Sequence, residues 1–189
     1  MLIETLPTKE KLLRAARSIG ARDGLAAVTT AAIAAEAGVA EGTLYRHFPS
    51  KDDLLIEAYR RLKAAAFARM ADREGEGVAP GETLKRIWRD IYEAYRADTD
   101  GFVYGQRFAE SALAEREGGV AAEPAAGALK RLLAQGVAAG LFKTLPPDLM
   151  GGLFWAPIGY LMKGELKGRR WTDAELDAAA EAVVDSWRR

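Results

Sequence analysis

A chain of 189 residues that is 49% apolar has enough material for a sizeable buried core, in one domain or two. Its 27 basic and 27 acidic residues cancel, which argues against a protein that coats nucleic acid by charge alone but leaves room for a small, locally basic reading surface. With no cysteine and one histidine, His47, it lacks thiolate metal sites, disulfides and most of the parts that hydrolytic or metal-dependent enzymes use.

Alternation at period 2 is absent and Ala, Leu, Glu, Lys and Arg dominate, so every element is expected to be helical and the fold class all-α. The segment Met1–Thr8 lacks a basic cluster followed by an apolar run and reads as no signal peptide. No run approaches the roughly 18 apolar residues that span a bilayer. Together with the missing cysteines, this leans towards a cytoplasmic protein without a membrane partner.

A first helix is expected from Thr8 to about Gly20, with Leu12, Ala16 and Ile19 on one face. Thr29 or Thr30 can cap a second helix that runs to about Ala37. Gly38 supplies a turn, a short third helix follows through Phe48, and Pro49 stops it. Ser50 and Asp53 form an S-x-x-D capping box that opens a long fourth helix reaching about Asp72. The Glu, Gly and Pro rich stretch Arg73–Gly81 is a candidate boundary. Further helices are expected at about Glu82–Ala97, Phe102–Arg116, Pro124–Ala139, Pro147–Leu166 and Thr172–Trp187. Pro124 and Pro147 suit first helical positions, and Thr172 with Glu175 makes a second capping box.

The segment Val28–Leu55 carries the functional signal. It reads as two short helices joined by a glycine turn, with Ile33, Ala37, Val39, Leu44 and Phe48 inward and Ala34 small enough for close approach. Leu44 and Phe48 bury one side of the third helix and leave Gly42, Thr43, Tyr45 and Arg46 on the other. Such a small, hydrogen-bonding face suits a recognition helix in the major groove. Thr43 and Arg46 can reach bases or phosphates, Tyr45 and His47 suit phosphate positioning, and Lys51 lies near the expected backbone path. Thr29 and Thr30 can offer hydroxyl and N–H donors to a phosphate. Glu41 is unusual beside DNA: its carboxylate can accept from cytosine N4, or can serve as a favourable charge at a helix N-terminus.

The run Ala34–Leu54, of the form A-x-x-A-G-V-x-x-G-T-L-Y-x-H-F-x-S-K-x-x-L, resembles the signature of the TetR family of transcriptional regulators. The resemblance implies an all-α homodimer with an N-terminal three-helix helix-turn-helix head and a larger C-terminal helical domain that binds a small-molecule effector. It implies operator contacts from Thr43, Tyr45, His47 and Lys51. On that pattern residues 1–55 form the DNA-binding domain and residues 56–189 the ligand-binding and dimerisation domain, with helix four connecting them.

In the C-terminal part Trp88, Tyr92 and Tyr95 share a helix face, followed by Phe102, Tyr104 and Phe108 and later by Phe154, Trp155, Ile158 and Met162. Each suits core packing. As a set, Trp88, Tyr92, Tyr95, Phe102, Phe108, Phe154, Trp155, Ile158 and Met162 can line an apolar cavity, with Gln106, Arg107 and Glu110 as polar groups nearby. Two apolar stripes suit dimerisation: Leu149, Leu153, Ala156 and Tyr160, where Gly152 and Gly159 permit close approach, and Leu176, Ala180, Val183, Val184 and Trp187. Pairing within one subunit explains the stripes equally well. Pro157 is expected to kink its helix.

The reading is a ligand-responsive repressor that binds a palindromic DNA operator as a homodimer and is released by a small apolar or aromatic-containing effector. It needs no cofactor, metal or catalytic residue. The alternative is a small-molecule-binding protein whose head no longer reads DNA. An enzyme is the third reading, since Glu110 and Glu115 have no nucleophile or base paired with them.

Overall fold

The computed structural model describes residues 6–74, 77–116 and 126–189. Among the described residues it is all-α, without a strand. Its helices are α1 Thr8–Asp23, α2 Thr30–Ala37, α3 Gly42–His47, α4 Lys51–Glu74, α5 Pro80–Ala97, α6 Thr99–Ala109, α7 Ala112–Arg116, α8 Ala126–Ala138, α9 Pro147–Leu166 and α10 Asp173–Asp185. A short 3-10 turn, Leu25–Ala27, precedes α2.

Local chemistry explains most boundaries. Thr29, not Thr30, caps α2, accepting the Ala32 N–H at 3.1 Å. At α4, Ser50 Oγ accepts the Asp53 N–H at 3.2 Å, and its hydroxyl donates to the Asp53 carboxylate at 2.7 Å. The Thr172–Glu175 box on α10 has both reciprocal bonds, and Pro147 starts α9. Pro124 lies outside the described residues.

Two boundaries differ from expectation. Gly20 does not end α1; the helix continues to Asp23 and stops at Gly24, whose φ is +91°. Gly20 serves a close approach instead, since a Cβ there would sit 2.7 Å from the Tyr104 ring. The expected helix Phe102–Arg116 is broken into α6 and α7, because the Ser111 hydroxyl and N–H both turn back to the Phe108 carbonyl, at 2.6 and 2.9 Å.

The described chain divides into two compact units. Among the described residues the first takes 6–64 and 98–116, the second 65–74, 77–97 and 126–189. In packing terms the first unit is therefore not a contiguous 1–55 segment, because α6 and α7 fold with the head. Its core joins Leu12, Ile19, Ile33, Leu44 and Leu54 to Tyr104 and Phe108 of α6. Burying each such large apolar side chain contributes about 1.5–3 kcal/mol. The Phe108 ring stacks on Tyr59 with centroids 4.4 Å apart.

The second unit is built on α5, which packs against α8, α9 and α10. Trp88, Tyr92, Phe142, Phe154 and Trp187 are its largest fully buried side chains. Trp88 Nε1 donates to the Phe154 carbonyl at 3.1 Å, and Tyr92 Oη donates to the buried Glu165 carboxylate at 2.9 Å. Arg170 donates to the other oxygen of Glu165 at 2.7 Å, so the buried charge is paired and hydrogen-bonded. The C-terminus is pinned by the Lys143 N–H to the Trp187 carbonyl, 2.7 Å, and by an isolated bridge between Phe142 and Arg188.

Candidate nucleic-acid interface

The turn between α2 and α3 has the backbone that its glycine predicts. Gly38 sits at φ +67°, ψ +37°, and its N–H and that of Val39 close α2 onto the Ala35 and Ala34 carbonyls at 3.2 and 3.0 Å. Ile33 and Leu44 are fully buried, Phe48 is 4% exposed, and Val39 packs half-buried at their edge. The Lys9 ammonium lies 5.3 Å over the Phe48 ring. These contacts fix the angle at which α3 stands on the head.

With Leu44 and Phe48 inside, the other side of α3 faces solvent. Gly42, Arg46 and His47 are exposed, Tyr45 keeps 57% of its surface, and Thr43 is half-buried. No atom within 4 Å would meet a Cβ at Gly42. Lys51 stands half-buried in the first turn of α4, while Thr29 is exposed and Thr30 half-buried at the start of α2. All nine expected contact residues lie on α2, α3, the first turn of α4 or the N-caps of α2 and α3.

Glu41 has a partner inside the protein. Its carboxylate accepts a hydrogen bond from the Thr30 hydroxyl, tying the N-cap of α3 to the first turn of α2. That bond gives the Glu41 carboxylate and the Thr30 hydroxyl a partner in each other on the same surface.

The head is also braced by groups that no local pattern announces. Tyr104 Oη donates to the Leu55 carbonyl at 2.7 Å, Arg107 donates to the Gly20 carbonyl at 2.8 Å, and Arg17 is hydrogen-bonded to Asp98. Arg116 of α7 reaches Asp52 at 2.9 Å, one residue from Lys51. Arg107 is therefore spent on α1, whereas Gln106 and Glu110 are exposed.

The nine residues expected to line an effector cavity do not gather in one compact unit. Phe102 and Phe108 belong to the first unit and are buried there. Trp88, Tyr92, Phe154, Ile158 and Met162 are buried in the second, with Tyr95 and Trp155 half-buried. Burial pushes the Tyr95 hydroxyl up to about 12. A groove of about 360 Å³ in the second unit is polar instead, lined by Arg73, Lys85, Arg89, Asp90, Asp177 and Glu181 among others. Its charges pair across it: Arg73 with Asp90 at 2.8 Å, Lys85 with Glu181 at 2.6 Å.

The two stripes expected at a dimer interface also part company. Leu176, Ala180, Val183, Val184 and Trp187 are at most 4% exposed, buried within their own unit. On α9, Leu149 is 49% exposed and Tyr160 70%, with Ala156 exposed and Leu153 half-buried. Pairing within the subunit accounts for the first stripe and leaves the second open.

Residues 12–58 match the family model described as bacterial regulatory proteins, tetR family. The transcriptional repressor KstR2 of Mycobacterium tuberculosis is 36% identical over 84 residues, 44% of this chain and 42% of the repressor. The curated relatives matched first are covered over a third to a half of their length, from 34% to 50%. Over nearly the whole chain the fold is that of a TetR-family regulator from Marinobacter aquaeolei, with TM-score 0.85, 24% identity and 96% and 95% of the two chains covered. The regulator FadR of Bacillus subtilis, solved with stearoyl-CoA, has the same fold, with TM-score 0.74, 20% identity and 93% and 95% covered. Among the described residues no helix is long and apolar enough to cross a membrane.

Proposed function

We propose that this chain, whose residues 12–58 match the family model of bacterial regulatory proteins, tetR family, is a ligand-responsive transcriptional repressor. The observation that carries the reading is the two-sided α3: Leu44 fully buried and Phe48 nearly so, with Tyr45, Arg46 and His47 exposed on a helix of the width that a groove about 12 Å wide admits. The protein acts as a homodimer, placing two such helices about 34–36 Å apart on a palindromic operator. Thr43 and Arg46 contact bases or phosphates, Tyr45, His47 and Lys51 hold the DNA backbone, and the N-terminus of α2 at Thr29 faces a phosphate. An operator-binding protein of this kind works in the cytoplasm, where the chromosome is.

The DNA-binding function belongs to residues 1–55, and effector binding and dimerisation to residues 56–189. The effector is a small molecule with a substantial apolar part. Support comes from the buried aromatic residues of the second unit and from the acyl-CoA ester held by a neighbour of the same fold. It displaces DNA by binding more tightly to a conformation in which the two reading helices are wrongly spaced.

Fluorescence anisotropy with DNA from beside its own gene tests the reading. The full-length chain is expected to bind one such fragment in preference to scrambled DNA, with a steep salt dependence. Arg46→Ala should cost about 1–3 kcal/mol, roughly 5- to 150-fold in affinity. Fatty acyl-CoA esters serve as the first effector set. Equal binding of all DNA by wild type and Arg46→Ala, alongside retained effector binding, would instead support a sequestering protein with a silent head.

A further inference from the structure

Resting on the operator reading above, we propose that Arg116 of α7 holds a DNA phosphate next to the one held by Lys51, so that the operator interface reaches beyond α2, α3 and α4. Of the residues expected to contact DNA, Arg46 and Lys51 are the ones with a permanent positive charge. The same segments carry three acids, Glu41, Asp52 and Asp53. A duplex presents one negative charge about every 1.7 Å of its axis, so an acid left bare there opposes binding.

Two of the acids are engaged locally. Glu41 accepts from the Thr30 hydroxyl, and Asp53 from the Ser50 hydroxyl at 2.7 Å. Asp52, the neighbour of Lys51, is met from far along the chain instead: Arg116 Nη1 donates to its carboxylate at 2.9 Å.

The fold brings Arg116 to that place in steps. Phe108 of α6 stacks on Tyr59, which lies seven residues, or about 10 Å, inside α4 from Asp52. Ser111 then breaks the helix by turning its hydroxyl and N–H back to the Phe108 carbonyl. Leu113 and Ala114 of α7 pack on the core of the head, and Arg116 follows at the first turn of α4.

An ion pair this open adds little to stability, with the Arg116 side chain 64% exposed and that of Asp52 39%. What it supplies is a cation beside Lys51. A guanidinium carries several N–H donors, and the bond to Asp52 leaves others for a phosphate. Neighbouring residues of α4 start about 3.8 Å apart, and successive phosphates of one strand advance about 3.4 Å along the duplex. Cations borne at Lys51 and on Asp52 therefore suit adjacent phosphates. The contact is to backbone, so it raises affinity without choosing a sequence.

Salt titration of DNA binding by the full-length chain, on the preferred fragment and on a scrambled duplex, is the test. Arg116→Gln should reduce the slope of log affinity against log salt by about 1 on both duplexes and weaken binding roughly 5-fold near 0.15 M salt. Its melting profile should match wild type, since the lost pair is open to solvent. Arg116→Lys should recover most of the slope. Asp52→Asn separates a phosphate contact from simple neutralisation of Asp52: in that background Arg116→Gln should again lower the slope by about 1. An unchanged slope there overturns the phosphate contact and leaves Arg116 the role of covering Asp52; operator preference kept by such proteins leaves the operator reading standing. Wild type that binds both duplexes alike overturns the operator reading, while the slope lost by Arg116→Gln on either duplex still decides the phosphate contact.

Discussion

At Gly38 the chain turns between α2 and α3 with φ at +67°, a region where a side chain costs about 1–2 kcal/mol because Cβ crowds the following carbonyl. No atom would meet a Cβ there, so the cost of a substitution is the backbone's alone. Gly38→Ala is expected to lower the stability of the head by about 1–2 kcal/mol, and Gly38→Asn by less, since Asn visits this region more readily. Urea unfolding of the three proteins measures the difference. Equal midpoints would mean that the turn relaxes at no cost. Gly20 poses the opposite problem: its backbone is ordinary helix, and the obstacle is the Tyr104 ring 2.7 Å from any added Cβ. Glu41 shows how a residue's role can be decided by one neighbour. Its sequence position admits a base contact or a helix-end charge, and the Thr30 hydroxyl that bonds to it comes from eleven residues upstream.

Among the elements, α6 has the most consequential packing. Its Tyr104 buries its ring against α1 and gives its hydroxyl to the carbonyl of Leu55 in α4, one bond touching two helices of the head. Burial pushes that hydroxyl's ionisation well up, so it stays a donor at any ordinary pH. Tyr104→Phe keeps the ring and removes the bond. Thermal unfolding should report a loss of about 1 kcal/mol, while a loss near zero would mean that water replaces the hydroxyl. α10 is fastened differently, by carboxylates. The bond from Lys85 holds Glu181 below the ordinary carboxylate value of 4.5, and the Thr172 backbone and hydroxyl do the same for Glu175. Groups depressed in the folded state stabilise it fully above their unfolded value, and that contribution disappears as pH falls through the lower, folded value. The melting temperature should therefore hold steady from neutrality to about pH 5 and decline below it, with a shallower decline for Glu181→Gln. An unchanged slope in that variant would show that the Lys85 pair carries none of the acid sensitivity.

For the whole molecule, what could be read in advance followed the range of the interactions. The all-α class, the glycine turn, the Ser50 and Thr172 boxes and the two-sided α3 depend on neighbours within four residues, and each leaves a local pattern. Long-range partners leave none. Phe108 in α6 and Trp187 just past α10 announced burial without saying against what, and Phe108 went to Tyr59 in the head and Trp187 to Phe142 and Phe154 in its own unit. The same range explains why Arg107 on the Gly20 carbonyl could not be anticipated. A consequence reaches back to the order in which the chain is made. Because the unit that carries α3 also contains α6 and α7, a ribosome that has released only residues 1–55 has not yet supplied Tyr104 or Phe108 to close its core. The reading head is thus completed only after a stretch of the other unit has emerged, and a gene fusion that transplants the first 55 codons alone would carry the motif without the walls that hold it.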